Sequence, residues 1–346
     1  MTTTITLTQW KRLYDLMAQV KQLAPWEFME EGDVFAIQPR PEMIGLVSVM
    51  GMLGQHYAIG VYQGVEGLQG FAYNHRMGDR LTPASLLQVP QLQGSWEDRA
   101  LVAARDRAII KQLDLKFRGP NAWPVFRRYH PGCPPWYLEQ PQEADLLIAA
   151  LEQTLEVAPR FRENPALFRP TDSGDSLFMR TRRGTQWVDE VFYPPMWQFN
   201  LELQMDVAAL DVVKQLPVTN VVVEVDVFMM METPVQEGKD QQPFFPFCLL
   251  MAEHQSQFIL GFELCSPLPT LQAMWEKIPA LIVRILAKYQ IRPRQFLVRE
   301  SENWGERVLP FIVQLIAKEL GSSAKISRRL TAIDRAKRLT PKFQPQ

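Results

Sequence analysis

Cysteine is scarce: there are three in 346 residues (Cys133, Cys248, Cys265), and no CxxC pair. That excludes a disulfide framework and a zinc ribbon, and it points to free thiols in a reducing cytoplasm. The four histidines (His56, His75, His130, His254) are scattered, with no pair at metal-ligand spacing and no Ser/His/Asp or Cys/His signature. His130 and Cys133 stand three apart in a proline-rich stretch, which fixes no geometry for an activated thiolate. Charge of one sign is also missing. With 37 Lys and Arg against 38 Asp and Glu, the net charge is −1, so any contact with nucleic acid has to come from a local patch. Long apolar runs are absent too. The best apolar helical stretch, Ile278 to Ala287, is cut by Arg284 and is too short for a bilayer. The opening MTTTITLTQWKRL lacks the basic-then-apolar layout of a signal peptide. A cytoplasmic protein with no membrane partner is the expectation. Neither GxGxxG nor GxxxxGK[ST] occurs, and the pairs Gly51/Gly54 and Gly64/Gly67 read as turns.

Proline, by contrast, is abundant and concentrated. The run Lys116–Tyr137, KFRGPNAWPVFRRYHPGCPPWY, holds five prolines among aromatics and arginines. Proline fixes its own φ, removes a donor and pushes the preceding residue towards extended backbone. The run therefore reads as a stiff, irregular path between two domains. Arg118, Trp123, Arg127, Arg128, Tyr129 and Trp136 are its candidate binding surface near the domain junction, since guanidinium and aromatic groups serve peptide and base recognition. The simpler role for the same side chains is to pack the loop onto the first domain.

An apolar content of 47% and a charged content of 22% are those of a globular chain long enough for two domains. Period-3.6 patterning predicts helices capped at Thr8 and running to about Leu23, then over Trp96–Leu113 and Gln142–Val157. Short strands are expected at Val34–Gln38, Leu46–Met50 and Tyr57–Gln63, with a helix from about Val65. Pro159–Pro170 reads as a linker, followed by a hairpin at Leu177–Thr181 and Trp187–Tyr193. Beyond it the order is strand (Val221–Met231), hairpin (Phe245–Glu253, Phe258–Cys265), helix (Leu271–Tyr289), strand (Gln295–Arg299), helix (Trp304–Leu320), strand (Ala324–Ser327), helix (Arg329–Leu339). The expected class is α+β and α/β. Residues 1–160 form a small antiparallel sheet with helices, and residues 161–346 a ribonuclease-H-like mixed sheet with helices.

The stretches PWEFMEEGDVFAIQP, GLVSVMGMLGQHYAIGVYQGVEGL and FRGPNAWPVFRRYHPGCPPWYLEQPQEADLLIAALE resemble an uncharacterised bacterial family defined only as a domain of unknown function. The second half is similar to a companion domain, also of unknown function, that often follows it. The resemblance implies that some relatives carry a cysteine-rich zinc module like that at the end of the SecA translocase. The cysteines it needs are missing here, so zinc binding does not carry over.

Candidate chemistry centres on the strand VVVEVDVF. Glu224 and Asp226 stand two apart and so face the same side of it. With Glu300 at the end of the strand after the long helix and Asp334 in the last helix, they occupy elements where a ribonuclease-H-like nuclease holds two divalent ions, Mg²⁺ or Mn²⁺. Glu276, in the helix between, is a further acid. With 38 acidic residues in the chain, one acid on each such element is also a chance outcome. The segment SRRLTAIDRAKRLTPK carries six bases against one acid, with Leu330, Ile333 and Leu339 as a possible apolar stripe. It is a candidate contact for nucleic acid or an acidic partner, beside the simpler reading of a solvated terminal helix. The reading adopted is a non-catalytic binding or adaptor protein with no cofactor and an unknown protein or peptide partner. The alternative is a metal-dependent phosphodiesterase.

Overall fold

Thr6 starts the first helix. Its hydroxyl accepts the Gln9 amide at 3.2 Å, and Gln9 Oε1 accepts the Thr6 amide at 3.0 Å, a capping box two residues before the expected cap. The computed structural model describes residues 4–168, 176–195, 200–299 and 306–339, and the chain divides into two units. The first consists of residues 1–78, 89–130 and 135–197, and the second of 79–88, 131–134 and 198–346.

In the first unit, α1 (Leu7–Leu23) is followed by β1 (Phe35–Arg40), β2 (Met43–Met50), β3 (Ala58–Gln63) and α2 (Gly64–Met77). A single turn, α3 (Pro83–Leu86), belongs to the second unit. Then come β4 (Gln91–Glu97), α4 (Ala104–Gln112), β5 (Trp123–Tyr129), α5 (Pro141–Glu163), β6 (Leu177–Arg183) and β7 (Gln186–Phe192). The strands form one sheet in the order β5-β4-β3-β2-β1-β6-β7. All neighbours are antiparallel except β1 and β6, which makes the sheet mixed and larger than the small antiparallel one expected. The hairpin expected after the linker thus extends the first sheet rather than entering the second. Leu13, Met17 and Val20 of α1 and Leu147, Leu151 and Val157 of α5 share one core with Phe35, Val47, Ile59 and Val61. Gly67 lets α2 lie close to β3, because a Cβ there would stand 2.7 Å from the Tyr62 carbonyl carbon.

Three local expectations are corrected. Trp96 ends a strand rather than opening a helix, and α4 begins only at Ala104. The stiff run contains the regular edge strand β5, paired with β4 throughout; an edge strand tolerates Pro124 because only one side of its ladder is occupied. Pro159 lies inside α5, which continues to Glu163, so the linker begins later than expected.

The second unit contains α6 (Val207–Gln215), unanticipated and capped by Asp206 on the Ala209 amide at 3.0 Å. After it come β8 (Val222–Met229), β9 (Phe247–Glu253), β10 (Ile259–Cys265), α7 (Leu271–Lys288), β11 (Gln295–Val298), α8 (Leu309–Leu320), β12 (Ser323–Ile326) and α9 (Thr331–Leu339). The sheet order is β10-β9-β8-β11-β12. β9 is antiparallel to its neighbours β8 and β10, while β11 and β12 run parallel to β8. Strand periodicity sorts the side chains of β8. Val223, Val225 and Val227 share a core with Trp275, Ile282 and Ile312 of α7 and α8, whereas Val222 joins Leu330 and Ile333 beside and within α9.

Arg180 ties the β6–β7 hairpin to α5. It is 5% exposed, donates to Gln153 Oε1 at 2.9 Å and to Glu156 Oε1 at 2.6 Å, and pairs with Asp189. The Arg160 hydrogen bond and then Arg180 hold the Asp189 carboxyl below its usual range. A depressed carboxyl stabilises the fold above its unfolded pKa of about 4 and loses that contribution as acid titrates it. Arg180→Ala is expected to cost about 1–3 kcal/mol at neutral pH by leaving Gln153 buried without its partner. The difference from wild type should shrink as the pH falls below about 4, where acid begins to titrate the carboxyl that Arg160 and Arg180 hold down; urea unfolding at neutral and at acid pH checks it.

Candidate functional site

A buried cluster of charge forms where β8, the ends of β9 and β11, and α9 converge. Glu224 is 0% exposed and Asp226 4%, both on the β8 face that α9 covers. An unpaired carboxylate there would be strongly disfavoured, and each has partners. Glu224 Oε1 lies 2.5 Å from His254 Nδ1 and accepts the Thr331 hydroxyl at 3.2 Å; its Oε2 accepts the Ile333 amide at 3.0 Å. Asp226 Oδ2 accepts Arg299 Nε at 3.2 Å and Lys337 Nζ at 2.8 Å. Arg299 also pairs with Asp334, whose Oδ2 accepts the Leu330 amide at 3.2 Å. The Lys337 ammonium sits 3.6 Å from the centre of the Phe228 ring, a cation–π contact. Burial alone would lower the Arg299 pKa, but the charges of Asp226 and Asp334 outweigh it and the pKa is raised.

Of the acids singled out in the sequence, Glu224, Asp226 and Asp334 therefore meet in one place. Glu300 lies outside the described residues. Glu276 sits elsewhere on α7 and accepts the Glu202 amide and Gln272. Sequence reasoning did not find the roles of His254, Thr331 and Lys337. The signals were two acids on one side of an otherwise apolar strand, which demand buried partners, and the one-turn spacing of Asp334 and Lys337 beside Leu330 and Ile333. Leu339 falls outside the apolar stripe expected of that segment, being 72% exposed.

The cluster's chemistry is that of a lock. Both Asp226 contacts are cationic donors that a divalent ion would have to displace, and no group of three or more His, Cys, Asp or Glu residues placed to hold a metal occurs among the described residues. Burial pushes the Cys248 thiol up to about 12 and the Cys265 thiol up to about 11, which disfavours their thiolates at neutral pH, and Cys133 is fully buried.

The residues of the stiff run are mostly struts. Arg127 clamps Asp106 of α4 through two bonds of 3.0 and 2.7 Å. Its guanidinium lies 4.7 Å from the Tyr137 ring centre, with Arg105 at 4.6 Å from the same ring. Arg128 pairs with Glu139 at 2.9 Å and Glu143 at 3.3 Å. Trp136 donates its indole N–H to Glu139 at 3.0 Å and bridges the Arg128 backbone on the outer edge of β5. Tyr129 donates to Gln93 Oε1 at 2.5 Å. Trp123 packs against the core and edge-on to Phe117. Arg118 is exposed and forms no ion pair among the described residues. Pro131–Pro134 belongs to the second unit, where the Gly132 amide donates to the Leu87 carbonyl and the Gly132 carbonyl accepts the Phe245 amide, both at 2.8 Å.

Two family models match the chain. Residues 10–180 match a domain of unknown function, DUF7309, and residues 209–339 match another, DUF6930. The chain is a tandem of these two domains of unknown function. A search of curated proteins finds no match. The charge cluster lies wholly within the DUF6930 match, and the arginine–aromatic struts lie within the DUF7309 match. No described helix is long and apolar enough to cross a membrane.

A double-mutant cycle on Asp226 and Lys337 should return a coupling of about 1.5–3 kcal/mol, the range for hydrogen bonds to buried charged groups. A value of about 0.2–1 kcal/mol, typical of exposed pairs, would place the lock in solvent. Urea unfolding of Asp226→Ala, Lys337→Ala and the double variant measures it.

Proposed function

We propose that the protein is a cytoplasmic, non-catalytic binding protein in which the DUF6930 domain is a ribonuclease-H-like scaffold whose acidic strand has become structural. The single observation that carries this reading is the Asp226 carboxylate held between Arg299 and Lys337 at 3.2 and 2.8 Å. A catalytic carboxylate of that fold class keeps its lone pairs for metal ions; here they accept bonds from guanidinium and ammonium. Supporting the fold assignment are three antiparallel strands followed by two that run parallel to the first, with helices between them and the first strand at the centre. Acids stand on the first strand and the last helix, and Arg299 and Lys337 of the same chain pair with Asp226 and Asp334.

The binding surface in this reading is the flank of β5, with Arg118 and Trp123 as its contact residues. Arg127, Arg128, Tyr129 and Trp136 hold that flank rigid, and a preorganised surface loses little side-chain entropy when it binds. The fitting partner is a protein or peptide with carboxylates for the guanidinium and an apolar group for the indole.

With Mg²⁺ or Mn²⁺, the purified protein is expected to hydrolyse neither bis(p-nitrophenyl) phosphate nor RNA or DNA, and Asp226→Asn should match wild type. Metal-dependent hydrolysis that disappears in Asp226→Asn would establish the phosphodiesterase reading instead. Binding is tested by comparing proteins retained by wild type with those retained by Arg118→Glu and Trp123→Ala. Retention unchanged in both variants removes the β5 flank as the surface. Substitution of Arg127 or Arg128 would test folding instead, because Arg127 holds the buried Asp106 and Arg128 ties the half-buried Glu139 and Glu143 to β5.

A further inference from the structure

β10 ends the second sheet on one side, and its outer edge pairs with no strand among the described residues. Exposed edges are ordinarily blunted by lysine, proline or a covering element. β10 carries a bulge near Ile259–Gly261, but past it Phe262 and Leu264 are 56% and 57% exposed. They stand two apart and so share one side of the strand. Glu263, between them, pairs across the sheet with Leu249 and shares its face, the one that α7 covers. There it lines a cleft of about 340 Å³ with Lys277 and Arg284 of α7. Arg284 is engaged by Asp206 at 2.5 Å. Neither Glu263 nor Lys277 forms an ion pair among the described residues.

We propose that β10 pairs antiparallel with β10 of a second copy, joining two second-unit sheets across a twofold axis. This assignment is independent of the proposed function. The strand is complementary to itself. A twofold at Glu263 sets Phe262 of each copy against Leu264 of the other, giving two aromatic–aliphatic cross-strand pairs on one face. On the other face it brings two Glu263 carboxylates to the axis, beside the clefts that hold two Lys277 ammonium groups. Two like charges opposite each other would be unfavourable alone; here each copy supplies the cation that balances the other's acid. A net charge of −1 per chain leaves little repulsion between copies. An unrelated strand would satisfy the backbone edge but would have to supply both the apolar pair and the charge.

Sedimentation velocity of the full chain is expected to show a species of twice the 39.9 kDa chain mass. Phe262→Lys and Leu264→Glu should each weaken self-association by roughly tenfold or more, with the circular dichroism spectrum unchanged because both side chains are largely in solvent in the single chain. Lys277→Glu should weaken it as well, and Glu263→Lys added to Lys277→Glu should restore it, a rescue that a merely structural effect would not give. A wild type that stays monomeric at the highest concentration reached overturns the proposal. So does a dimer that survives both apolar substitutions, or a charge swap without rescue.

Discussion

Two carboxylates on the covered face of a central strand set the terms for the second unit. Glu224 and Asp226 alternate with Val223, Val225 and Val227, so the strand that places valines against α7 and α8 necessarily delivers two negative charges to the opposite face. Buried charge is tolerated only when it is paired and hydrogen-bonded. The partners come from three separate places: the end of β9 (His254), the end of β11 (Arg299) and α9 (Thr331, Ile333, Lys337). α9 is short, and helices of its length have little stability of their own. Its position is fixed from outside, by Leu330 and Ile333 in the apolar cluster and by the carboxylates beneath it.

The first unit applies the same physics to arginine. Arg128 and Arg180 each pair with two acids and Arg127 with one, and each links a strand to a helix or to the loop beside it. A guanidinium offers five donors in a rigid fork; two carboxylates occupy most of them and fix the fork's direction. An arginine so held contributes shape to a surface more than it contributes a free charge. Arg118 stands outside such a clamp and is exposed.

Much of the fold is written locally and was readable. VVVEVDVF, the hairpin over Phe245–Cys265 and the apolar face of α7 carry strand and helix periods in plain form, and the element order of the second unit follows from them. β4 is different. QLQGSWE alternates, but its Gln91, Gln93 and Ser95 are buried among neighbouring strands rather than facing water; Gln93 accepts from Tyr129 and reaches His56 at 2.9 Å. Only the assembled sheet reveals that those polar side chains are interior. β5 was hidden by Pro124 and the prolines on either side of it, which look like disruption until the strand is known to lie on an edge. Glu224, Asp226 and Asp334 could be named as a group from element order. That they would meet arginine, lysine and histidine of the same chain depends on side chains up to 111 residues apart in sequence, a convergence that no local pattern records.

The central claim is that these carboxylates hold α9 in place, and hydrogen exchange at the Ile333 amide, which donates to Glu224 Oε2, tests it most directly. In wild type this amide should be as protected as the Val225 amide of β8. In Glu224→Ala it should exchange faster by roughly tenfold or more while Val225 keeps its protection, because local release of a helix needs less free energy than opening the sheet. Ile333 protection that is unchanged in Glu224→Ala would contradict the account.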